Sequence, residues 1–211
     1  MSRSGFARAL LAAAVALALL APAAKAATPS ATGVSGNQLG STLGELWTTV
    51  LQTPAPQNPF AGGSTCIFLP DGQLAPFGPT GAGPCTVERG TKIFVVARSQ
   101  ECSTFAGDDC GGTTYSQLLA NAEAGDAAFT THAVTVDGTP VAVTEVVTPL
   151  LNITLPRDNV FGLPDVTRGL SAAHGWVVLL DALAPGKTHT ITIHLAGSGF
   201  DSTITTTISV V

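Results

Sequence analysis

Positive charge is scarce in this chain. Of 211 residues only nine are Lys or Arg, against fourteen Asp or Glu. Three of the nine (Arg3, Arg8, Lys25) fall within the first 26 residues, so the remainder carries six basic and fourteen acidic residues, a net charge of −8. Tracking nucleic-acid phosphates requires a dense basic face, and attraction to anionic lipid requires the same. Neither nucleic acid nor a membrane surface is an expected partner. Aromatic residues are also few, with two Trp, one Tyr and nine Phe. Trp47 and Trp176 both sit in apolar runs, which argues for core positions and weakens a carbohydrate platform.

Catalytic signatures are missing too. No G-x-S-x-G elbow occurs, and Gly197-Ser198-Gly199 lacks its spacing. No C-x-x-C pair exists and no His lies near a Cys, which argues against the usual zinc arrangements. Nothing implies a cofactor, a metal or a catalytic residue. Asp108 and Asp109 sit among glycines, but without the D-x-D spacing of a calcium loop they read as a solvated acidic turn.

What is present begins with an export signal. Arg3 and Arg8 precede an apolar stretch over residues 9–20, and Ala24-Lys25-Ala26 is an A-x-A cleavage site. The expected product starts near Ala27, is secreted, and has no further apolar run long enough to insert in a membrane. Export places Cys66, Cys85, Cys102 and Cys110 in an oxidising compartment. Four cysteines allow three pairings. The sequential one, Cys66–Cys85 and Cys102–Cys110, closes two short turn-rich loops, each bridge contributing about 3 kcal/mol.

Residues 27–35 are small and polar, as expected of a flexible terminus. Leu39, Leu43, Leu46, Trp47, Val50 and Leu51 then share one helical face, Ser35 and Gln38 fit a capping box, and Pro54 ends the pattern. Residues 54–90 are loop-dense, with one short strand at 66–69. Residues 92–97 (KIFVVA) form a buried strand that runs into a loop cinched by Cys102 and Cys110. A second helix spans 113–123, with Thr114 and Gln117 at its start and Gly125 as its stop. From Phe129 the pattern is β. Strands at 131–136 and 140–147 flank the Asp137-Gly138 turn, and others cover 150–155, 176–180, 189–195 and 203–210. The expected fold is mainly β, an antiparallel β-sandwich with two short helices and two disulfides, and residues 36–211 form one domain.

Two resemblances rest on these residues. Leu183, Pro185, Gly186 and His189, followed by alternating apolar residues, resemble the L-x-P-G-x-x-Y corner of fibronectin type III and related immunoglobulin-like sandwiches. His189 stands at the tyrosine position. The resemblance implies a structural role for the imidazole, tied back to nearby backbone as the tyrosine hydroxyl is. Over residues 47–210, the segments Asn58-Pro59, C-x-V-x-x-G-x-x-I-F from Cys85, V-D-G-x-P-V from Val136, N-x-F-G from Asn159 and G-W-x-V-L-L from Gly175 resemble a family of exported bacterial proteins without an assigned activity. That resemblance implies export and fold, not mechanism.

The functional expectation is a secreted, non-catalytic module that binds an extracellular protein or glycan. Its binding surface would be the disulfide-tied loops, in particular Ser103, Thr104, Phe105, Asp108 and Asp109, because rigid scaffolds carry function on loops. Two other classes remain open. One is a secreted hydrolase built from scattered residues, with His132 or His174 beside an acid. The other is a protease-inhibitor-like protein presenting the 102–110 loop.

Overall fold

The computed structural model describes residues 33–105, 107–164 and 167–211. The expected export signal and cleavage site and most of the polar terminus lie outside the described residues. No helix among the described residues is long and apolar enough to cross a membrane.

The chain opens with helix α1 (Gly36–Leu51), whose Ser35 and Gln38 form a reciprocal capping box. Two single 3-10 turns follow, at Ala55–Gln57 and Pro59–Ala61. The strands are β1 (Cys66–Phe68), β2 (Leu74–Pro76), β3 (Cys85–Val87) and β4 (Ile93–Ser103), then helix α2 (Tyr115–Asp126), then β5 (Thr131–Val136), β6 (Thr139–Val141), β7 (Thr144–Val147), β8 (Leu151–Thr154), β9 (Arg168–Leu180), β10 (Lys187–Gly197) and β11 (Phe200–Val210). They form two sheets. The first runs β1-β2-β4-β9-β7, with β8 continuing the β7 edge along β9. The second runs β3-β11-β10-β5-β6.

The first sheet is buried on both faces, which explains why β4 and β9 open or close on continuous apolar runs instead of alternating. Its outer face receives α1, where Leu43, Leu46, Trp47 and Val50 pack on Phe94, Val96, Val177 and Leu179. Gly40 lets the helix approach β7, because a Cβ there would meet the Val147 carbonyl oxygen at 2.2 Å. The inner face meets the second sheet, where Ile93, Val95, Val178 and Leu180 pack against Val134, Val136, Ile191 and Ile208. The second sheet has only one packed face, so β10 and β11 alternate. Where the first sheet extends beyond the second, α2 covers it, with Leu118 and Ala122 on Cys102 and Ala172.

Both sequential disulfides are formed. Several sequence expectations are corrected. The sheets are mixed, because β3 lies parallel to β11 and β2 parallel to β4. Both parallel strands lie in the loop-dense segment, are three residues long, and draw stability from the bridge between β1 and β3. The strand over 92–97 does not stop at a loop but continues to Ser103, since its polar half pairs with β9 along residues 171–176. The arm after Asp137-Gly138 splits, β6 staying with β5 and β7 crossing to β9. Asp137 and Gly138 both have positive φ, as their tight turn requires. Helix α2 runs through Gly125 to Asp126, because Asp126 is held from outside the helix.

Candidate functional site

One irregularity in β4 organises the chemistry. Its register on β9 shifts between Val96 and Arg98, leaving Ala97 as a bulge. Before it, even-numbered residues face α1. After it, Arg98 and Gln100 face α2 and the second sheet, while Ser99 and Glu101 face the α1 side. A bulge re-aims side chains in this way. Without it a guanidinium would be driven into the apolar contact with α1.

Arg98 instead reaches Asp126, the last residue of α2, with Nε 2.7 Å from Oδ1, and its guanidinium lies 4.4 Å from the ring centroid of Phe129. Asp126 is fully buried and sits at a helix C-terminus, where the macrodipole disfavours an anion. Its oxygens are therefore surrounded by donors. Oδ2 accepts the Gln100 backbone N–H at 3.2 Å and lies 3.0 Å from His174 Nδ1. The other ring nitrogen of His174, Nε2, is 2.9 Å from Oε1 of Glu145 on β7. Trp176 presents an edge to His174, while His132 of β5 stacks flat on Trp176 at 3.6 Å between centroids. The Nε2 atom of His132 is buried without a hydrogen-bond partner among the described residues.

The two imidazoles titrate in opposite directions from the ordinary 6.5. Burial works against a charge on His174, but the bonds to Asp126 and Glu145 and their charges outweigh it and raise its pKa. Burial lowers that of His132, with attraction to Asp126 and Glu145 opposing it and repulsion from His174 and Arg98 adding to it.

Along the edge of β4 opposite β9 lies a cleft of about 380 Å³. The β4 residues 96–101 form its floor. Trp47 of α1, Phe60 and Phe77 make an aromatic wall, with Phe60 stacked on Trp47 and Phe77 edge-on to both. Ile193, Leu195 and Ile204 of the second sheet make the facing aliphatic wall. The polar lining residues are Arg98, Ser99, Gln100, Glu101 and Thr206, most of them tied to neighbours. Ser99 Oγ accepts from Trp47 Nε1 at 2.9 Å and donates to the His174 carbonyl at 2.7 Å. The carboxyl of Glu101 is buried beside Ser171. Burial raises its pKa to about 8, with the Ser171 hydroxyl opposing and the Asp108 charge assisting. Beyond Ile93 no described strand pairs with β4 on its cleft side.

The Cys66–Cys85 loop contributes directly to this cleft. Residues 76–79, 81 and 82, inside that loop, line it. Within the second loop Ser103 and Phe105 are buried and Thr104 and Asp109 exposed. Phe105 contacts Phe161 of the cleft lining at 5.4 Å. Asp108 is bonded to the Ser103 backbone and hydroxyl and to the Cys110 N–H. At the corner, His189 Nε2 lies 2.9 Å from the Ala184 carbonyl oxygen and Nδ1 2.7 Å from Asp137 Oδ2, and Leu183 is buried in the core between the sheets. Pro185 and Gly186 are exposed in the preceding turn, where Gly186 has positive φ. His194 points away from His189 to an exposed contact with Asp201.

The sequence reading missed Arg98, Asp126 and Glu145. Strand parity held a signal for the histidines. His132 shares the inward face of Val134 and Val136, and His174 that of Trp176 and Val178, so two facing sheets bring them together. Comparison with family models, curated proteins and solved structures finds no match for this chain.

Proposed function

We propose that this chain is an exported, non-catalytic binding module of immunoglobulin-like type, and that its ligand is an extended apolar segment of an extracellular protein, laid along β4 in the cleft. The observation that carries this reading is the combination of an unpaired strand edge with apolar walls on both sides of it. Strand addition to an exposed edge draws affinity from main-chain hydrogen bonds and specificity from side-chain pockets. A cleft of about 380 Å³ lies within the range of ligand sites. The export signal and the His189 corner support the cellular setting and the sandwich type.

The test uses the chain from Ala27 with both disulfides intact. Its probes are an alternating valine–threonine hexapeptide and the same peptide with alternate amides N-methylated. Binding of the first and not the second, weakened at least tenfold by Phe60→Ala, supports strand addition. Equal binding of both, or none, overturns it.

The convergence of two histidines with two carboxylates favours a hydrolase as a second reading. Against it, both nitrogens of His174 are occupied by carboxylates, and among the described residues neither histidine bonds a serine, threonine or cysteine side chain. Hydrolysis of p-nitrophenyl acetate that is abolished by His174→Gln would reverse this preference. The inhibitor reading fits less well, because Phe105 anchors the 102–110 loop instead of projecting from it.

A further inference from the structure

His174 lies between two carboxylates from different elements, Asp126 of α2 and Glu145 of β7, one on each ring nitrogen. A neutral imidazole has one N–H and can donate to only one of them. Asp126 also accepts from Arg98 Nε and the Gln100 N–H. Stacked on Trp176, His132 has a buried Nε2 with no partner among the described residues to receive a second proton.

We propose that His174 is a proton-controlled latch between α2 and the edge strand β7, closed only while His174 carries two ring protons and His132 carries one. The charged groups facing it are Arg98 from β4, Asp126 from α2, Glu145 from β7 and His132 from β5. With His132 neutral, two cations and two anions balance and every donor on His174 has an acceptor. Loss of the Nε2 proton to solvent leaves a lone pair against the Glu145 carboxylate. That side chain is 63 % exposed and can turn into water at little cost. Protonation of His132 at the acid end adds a third cation to the cluster. The latch is therefore closed over a band of pH, bounded below by His132 and above by His174, and it does not depend on what the cleft binds.

The experiment is an imidazole NMR titration of the disulfide-intact chain from Ala27, read with amide hydrogen-exchange protection factors at Val146 in β7 and at Ile208 in the second sheet. The expected result is His174 titrating above 6.5 and His132 below it. Protection at Val146 falls at least tenfold once His174 is neutral, while Ile208 is unchanged. Glu145→Gln, at an exposed position that folding tolerates, lowers the His174 midpoint and removes the pH dependence at Val146. His174→Gln raises the His132 midpoint by removing a neighbouring cation. A His174 midpoint at or below 6.5, or Val146 protection indifferent to both pH and Glu145→Gln, overturns the proposal.

Discussion

Replacing Asp126 with alanine is expected to cost about 3–5 kcal/mol, the range for leaving one partner of a buried ion pair alone. The figure follows from what surrounds the carboxylate. It is wholly inaccessible to water and meets three donors: Arg98 Nε, the Gln100 N–H and His174 Nδ1. Arg98 keeps partial access to water, which moderates its share. His174 has almost none and would lose its proton on that side. Asp126→Asn preserves the shape and one acceptor but turns an amide N–H₂ toward other donors, so a smaller loss of about 2 kcal/mol is expected. The assay is urea unfolding of the disulfide-intact chain from Ala27. Far-UV circular dichroism is the better probe, because Trp176 sits beside the altered group. The midpoint should fall with an unchanged slope. For a chain of this size the alanine variant should also melt roughly 10 °C lower. A cost below about 1 kcal/mol would refute the reasoning, since that is the value of a solvent-screened surface pair.

Other expectations come from different parts of the molecule. Glu101 is held neutral up to about pH 8, so its folded-state pKa lies above the unfolded one. The stability it contributes is complete below the ordinary carboxyl range and is lost as pH rises toward 8, by up to about 1.4 kcal/mol per pH unit. Glu101→Gln should flatten that slope in urea titrations between pH 5 and 9. His174 has the same sign, contributing fully below 6.5 and losing its contribution as pH rises through its raised midpoint, whereas His132, lowered, loses its own as pH falls. Gly40→Val should destabilise by about 2–4 kcal/mol through collision with the Val147 carbonyl, measured by thermal melting. Phe60→Ala, at a half-exposed wall position, should leave the melting temperature within about 3 °C while reducing 1-anilinonaphthalene-8-sulfonate fluorescence.

The parts of the fold legible in the sequence are those dictated by local pattern. The α1 face and capping box, the Asp137-Gly138 turn and the alternating strands near the C-terminus each follow from a period of 3.6 or 2 or from turn chemistry. What stayed hidden needed long-range partners. Residues 74–76 and 85–87 are too short and too rich in proline and glycine nearby to declare themselves as strands. Residues 99–103 read as loop because polar side chains there are satisfied by α1, α2 and the 104–112 segment, not by water. Asp126 follows Gly125, read as the helix stop, and nothing in its neighbourhood announces an arginine 28 positions away. The cleft has no motif at all. It exists because β2 leaves β4 after one pairing and the walls are supplied by α1 and the second sheet.

The most direct measurement is chemical-shift mapping of the disulfide-intact chain with the alternating valine–threonine hexapeptide. The expected changes are confined to the amides of residues 96–101, the Trp47 indole N–H and the methyls of Ile193 and Ile204, with the amides not already bonded to β9 or Asp126 gaining protection from exchange. Shifts centred on Trp176 and His132, or no saturable shifts, would contradict the placement of the binding site along β4.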